Sequence, residues 1–219
     1  MRIRVIPLCA VLILAPAVAR AQYYSYPSLQ PPTAAVREFN FAVASGNRTG
    51  TSLISQWRER LGEYSHLQLD AGLTDAEGPG AGARLIIGGG YAYSFRSASS
   101  EVPLDMLFTT GIGGSFGNGN SILRIPVGVS LGHRFTFDGA SPFAITPYAH
   151  PRVSLDFCSS CAPSGRKDTN VGVDVDLGVG VEFTKSMALR ASALFAGSDF
   201  FPRDNGFGIS LVWTPPGLR

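Results

Sequence analysis

From Leu123 to Phe135 the chain alternates without a break. Leu123, Ile125, Val127, Val129 and Leu131 point one way, and Arg124, Pro126, Gly128, Ser130, Gly132 and Arg134 point the other. Strand side chains alternate faces with period 2, so this is one strand with an apolar face and a small-or-charged face. It exceeds the usual five or six residues of a globular strand. The pattern recurs to the C-terminus. Val171 to Phe183 sets Val, Leu and Phe against Gly, Asp and Glu, and Phe207, Ile209, Leu211 and Trp213 close the chain. A chain built this way is all-β, and its segments must pair edge to edge.

Alternation alone does not say which face is outside. In a soluble barrel the apolar face points inward; in a membrane barrel the faces are exchanged. Charged residues are only 16% of the chain, against about 25% in typical soluble proteins. Past the N-terminus there is no apolar run of about 20 residues, so a membrane would be crossed by strands. Strands long enough for a tilted crossing point to the membrane, as do aromatics near strand ends (Tyr91, Tyr93, Phe95, Phe135, Phe157, Phe183, Trp213). The expected fold is an antiparallel up-and-down transmembrane β-barrel of about ten strands, or eight if the first hairpin is irregular. Residues 51–60 also suit a short amphipathic helix; hairpin-like neighbours favour a strand. Pro147 and Pro151 fall inside one strand, where lost ladder donors predict a bulge or bend.

Residues 1–21 have signal-peptide anatomy. Arg2 and Arg4 precede an apolar stretch, and Ala19-Arg20-Ala21 fits a cleavage site. Residues 22–36, rich in Tyr, Pro and Ser without periodicity, read as a flexible periplasmic lead-in. The barrel is expected over 37–214, with a short tail at 215–219. From a periplasmic N-terminus every second connection faces outward, and the longest of these is 157–169. It holds Cys158 and Cys161, a C-x-x-C pair with no second pair to complete a zinc site and no βαβ setting for a redox motif. In an exported protein the pair reads as a local disulfide.

On the membrane reading the lumen carries Arg124, Arg134, His150, Arg152, Asp156, Asp174, Asp176, Glu182 and Arg190. The interior of a small barrel is just wide enough for side chains to fill it. Buried charges there must be paired, which predicts an ion-paired, closed lumen. The alternative is a narrow passive channel lined by the same groups. Small lumenal residues such as Gly178 are expected to accept a serine. His150, Ser154 and Asp156 share a face but spread over about 13 Å of strand, too far for a triad. No catalytic, cofactor or metal residues are expected. A net charge of +2 gives no footprint for nucleic acid.

These features together are similar to the outer-membrane β-barrel domain family, the small OmpA/OmpX-like barrels. The resemblance rests on the leader, the strands at 123–135 and 171–183, and the aromatic last strand ending at Trp213. It implies a bacterial outer-membrane address, a lipid-facing wall, handling by the barrel-assembly machinery, and external loops that meet a partner. It also admits a lipid-modifying enzyme as a further alternative, since some small barrels have that activity; an enzyme is not the expectation here. In such barrels the terminal aromatic is usually at or next to the end. Here Trp213 is followed by six more residues.

Overall fold

The computed structural model describes residues 26–33, 35–46, 50–75, 82–99, 102–117, 120–137, 143–159, 168–197 and 205–216. The chain runs β1 (Arg37–Gly46), β2 (Gly50–Arg60), β3 (Ser65–Asp75), β4 (Ala83–Arg96), β5 (Asp105–Gly117), β6 (Asn120–Gly132), β7 (Phe135–Thr136), β8 (Ala144–Ser159), β9 (Asp168–Glu182), β10 (Met187–Ala196) and β11 (Gly206–Trp213). Each strand pairs antiparallel with its neighbours, and β1 pairs with β11, from Phe39 opposite Trp213 to Gly46 opposite Gly206. The sheet therefore closes on itself and leaves no unpaired edge, the condition for strands to lie in hydrocarbon. β7 resumes β6 after His133–Arg134 and pairs with the same partner, so the wall has ten staves. The base of the barrel is the end carrying Arg37 and Trp213; the mouth is the opposite end.

The faces are exchanged relative to a soluble barrel. Phe41, Leu53, Leu73, Ile112 and Val171 are each more than half exposed, and Val43, Ile87, Val173, Leu177, Phe195 and Ile209 stand out alongside them. The alternate positions Glu38, Asn40, Gln56, Arg58, His150, Asp156, Asp174 and Asp176 are buried. Apolar-out and polar-in is the arrangement of a transmembrane β-barrel. Aromatics gather at the base, where Phe39 stacks on Trp213 at 5.4 Å and Tyr64 meets Tyr93 at 6.2 Å. Residues 50–60 are a strand: Leu53 faces out and Ile54 faces in, which a helical stripe would have placed together.

One local expectation changes. The prolines of β8 produce no register shift. Its pairing with β9 runs unbroken from Ala144 to Cys158. The ladder is interrupted on the other side, opposite Pro147 and Pro151, and then continues in the same register. The Pro147 carbonyl accepts from His133 N on that side, so the missing donors of both prolines face β6 and β7. The register shift falls instead in β4, between Ser94 and Arg96, where Phe95 is the extra residue.

The larger correction concerns the lead-in. Residues 26–33 are not a solvated periplasmic segment; they lie inside the barrel. Pro27, Leu29, Gln30, Pro31 and Pro32 are buried, with Leu29 fully so. The chain turns in at the base ahead of β1 and climbs toward the mouth, where Pro27 reaches Gly206 and Gly208. Prolines donate no backbone hydrogen bond, so an extended Pro-rich segment can occupy a narrow lumen with fewer groups to satisfy.

Candidate functional site

The lumen is organised in layers, each built from inward positions of neighbouring strands. At the base Arg134 donates to Glu182 through Nε at 3.1 Å and Nη2 at 2.7 Å, half exposed. Above this lies a vestibule of about 290 Å³ touched by Pro31, Thr33 and Arg60.

The next layer is an ion-pair cluster across the lumen. Glu38 on β1, Arg58 on β2 and Arg190 on β10 converge. Arg190 grips both Glu38 oxygens, at 2.7 and 2.8 Å, and Arg58 Nη1 donates to Oε1 at 2.8 Å. The same guanidiniums hold the inserted segment. Arg58 donates to the carbonyls of Leu29 at 3.1 Å and Ser28 at 3.0 Å, and Arg190 to that of Leu29 at 3.4 Å. Consecutive carbonyls of an extended chain point to opposite sides. They meet one arginine here because Leu29 has a left-handed backbone, φ 51°, uncommon for a residue with a Cβ and kept only where surroundings over-determine it. Ser130 Oγ donates to the Gln30 carbonyl at 2.6 Å from the opposite wall.

One level toward the mouth, Ser28 meets β8 and β9. Its Oγ donates to Asp176 Oδ2 at 2.6 Å, its N–H to the same oxygen at 3.1 Å, and His150 Nδ1 lies 2.7 Å from the Oγ. His150 Nε2 is 2.8 Å from Thr109 Oγ1. Arg152 Nη2 donates to Asp176 Oδ1 at 3.1 Å. With Ser28 donating to Asp176, His150 Nδ1 must carry a proton and donate to the Ser28 Oγ. A nucleophile relay needs the imidazole between serine and carboxylate. Here the serine sits between them, so the arrangement anchors the inserted chain and leaves the hydroxyl no free base.

Toward the mouth Arg124 forks onto Asp156, at 2.8 and 3.1 Å, and lies 3.9 Å from Asp174. Forked guanidinium–carboxylate pairs are the strong form of this contact. Cys158 is buried on the lumenal side at the end of β8; Cys161 lies outside the described residues, and the expected pairing with it. The signal peptide also lies outside them.

The structure distributes the lumenal groups singled out in the sequence over separate layers: Arg124 with Asp156 and Asp174, His150 and Arg152 with Asp176, and Arg190 with Glu38. Arg134 with Glu182 stands apart at the base. Three central groups escape sequence reasoning. Glu38 and Arg58 share the inward parity of Asn40 and Gln56, a signal that was available. Ser28 carries none, because nothing periodic marks its segment. Gly178 is the other surprise: a Cβ there would overlap the Tyr148 ring. It is small because Tyr148 lies over it, so serine does not fit.

No family model matches the chain, and no curated protein sequence matches it. Among solved structures it is similar to LpxR from Salmonella typhimurium, at 9% identity over 80% of this chain and 99% of that one, TM-score 0.43. It is also similar to the KdgM porin in complex with disordered oligogalacturonate, at 8% identity, 81% and 98% coverage, TM-score 0.40. The N-terminal β-barrel domain of Pseudomonas aeruginosa OprF gives 10% identity, 81% and 96% coverage, TM-score 0.36.

Proposed function

We propose that this protein is a bacterial outer-membrane β-barrel with a structural or interaction role, closed by its own N-terminal segment and by lumenal ion pairs. The base faces the periplasm, the apolar wall faces lipid, and the mouth loops meet an external partner. Cys158 bonded to Cys161 stiffens the longest of those loops, and Trp213 serves the barrel-assembly machinery. The observation that carries this reading is the inserted segment. Its backbone is held at Ser28, Leu29 and Gln30 by Arg58, Arg190, Asp176 and Ser130, which come from four different strands. In planar bilayers the mature chain is expected to stay silent, and a variant lacking residues 22–33 to conduct in steps. Equal conductance from both would overturn it.

The channel reading has one observation in its favour. The lumen is hollow above and below the layer of Leu29, with cavities of about 90 and 290 Å³. A small displacement of one segment would join them. An enzymatic role is the weaker reading, since Ser28, His150 and Asp176 are turned inward and mutually satisfied. Unchanged membrane lipid in a deletion strain is the corresponding expectation.

A further inference from the structure

Asp70 differs from the other lumenal carboxylates. Glu38, Asp156, Asp174, Asp176 and Glu182 each have an arginine within 4 Å. Asp70, on β3, takes its hydrogen bonds from neutral groups: Gln68 Nε2 at 2.9 Å to both oxygens and the Tyr26 hydroxyl at 3.2 Å. Among the described residues no cation stands within ion-pair reach of it. A carboxylate inside a barrel wall with no cation in contact is costly unless it takes up a proton or something cationic or aqueous joins it.

Space for such a partner is present. Gly88 and Gly90 are the cross-strand partners of Asp70 and Gln68, and they face Gly113 and Gly111 on β5. The wall beside Asp70 therefore has no side chains, and a cavity of about 90 Å³ remains between it and the inserted segment. One water needs about 10–15 Å³ on this measure, so the space suits a solute of several heavy atoms. Arg152 lines the same cavity and brings a guanidinium charge to it.

We propose that this chamber binds a small solute carrying a primary ammonium group, with the ammonium on Asp70 and an acceptor oxygen of the same molecule toward Arg152, as in an amino acid. The ammonium supplies three donors and a cation in direct contact, whereas Arg58 reaches Asp70 only through Gln68. The oxygen is placed on the side of the cavity that carries the Arg152 guanidinium charge. The site rests on the closed-lumen reading, because the inserted segment forms one of its walls.

Saturation-transfer NMR on the full chain in maltoside micelles, with ethylammonium, glycine and acetate as probes, tests this. Ethylammonium should bind saturably and glycine more tightly, with acetate alone giving no signal. Asp70→Asn should weaken both amines by about tenfold or more. Tyr26→Phe removes a competing donor from Asp70 without touching the wall, and should strengthen them. Amine binding unchanged in both variants would overturn the proposal. So would acetate binding as well as glycine, or sodium chloride displacing ethylammonium at equal concentration, which would mark a site for an anion or a simple metal cation.

Discussion

Glu38→Gln is the sharpest test of the closed lumen. Glu38 is 1% exposed and accepts three guanidinium hydrogen bonds, two from Arg190 and one from Arg58. Charge-assisted bonds are worth about 1.5–3 kcal/mol each, so their simple sum is a ceiling that overstates the loss. Glutamine keeps one acceptor oxygen, and the arginines keep the carbonyls of Ser28 and Leu29. What remains is two buried cations without an anion. Removing one partner of a buried ion pair costs about 3–5 kcal/mol, and that is the loss expected here. Adding Arg190→Met removes one of the stranded cations, so the double variant should be more stable than Glu38→Gln alone. Urea unfolding in lipid vesicles, read through Trp57 and Trp213, measures both. A loss below about 1 kcal/mol for Glu38→Gln is the value of a solvated surface pair. Coupling to Arg190 below about 0.5 kcal/mol would point the same way. Either result would mean that water fills this layer and that the ion pairs do not close it.

Leu177→Arg puts a charge at a half-exposed, mid-strand position of the outer wall; it should cost about 2–4 kcal/mol and lower the yield of heat-modifiable barrel. Gly178→Ser, on the opposite face, should also destabilise, because its Cβ meets Tyr148; rescue by Tyr148→Ala alongside it would confirm the cause. A mutant cycle of Arg124→Met and Asp156→Asn should give coupling of about 0.5–3 kcal/mol, since the pair is buried and forked. Mass spectrometry of non-reduced protein should find Cys158 and Cys161 joined, and their reduction should leave the barrel folded, because so short a loop removes little entropy from the unfolded chain.

The wall was legible in the sequence because its signal is local. Period 2 across Leu123–Gly132 and Val171–Glu182 marks both the strand and its faces, and parity alone selects Arg124, Asp156, Asp174 and Asp176 as lumenal. What fills the wall was not legible. Tyr26 to Pro32 has no repeat, and its burial is decided by Arg58, Arg190, Ser130 and Asp176, residues far away in the chain. The partner choices were hidden for a related reason. Arg152 stands opposite Asp174 in the ladder but donates to Asp176, because side-chain reach rather than register decides between two acids on one face. The prolines of β8 misled because a lost donor weakens one side of a strand and leaves the other intact.

The inserted segment is tethered to β1 through only residues 34–36, and the Val36 carbonyl is already fixed by the Arg60 N–H at 2.7 Å. Its attachment to the lumen is therefore an intramolecular equilibrium, governed by an effective concentration on the order of millimolar or more for so short a link. A free peptide of the same sequence would have to exceed that concentration to compete, even with identical contacts. Cutting the chain between Thr33 and Arg37 changes no contact of residues 26–33, yet it makes their retention depend on dilution. Proteolysis at that link would convert a barrel whose occupant always rebinds from its tether into one whose occupant can leave.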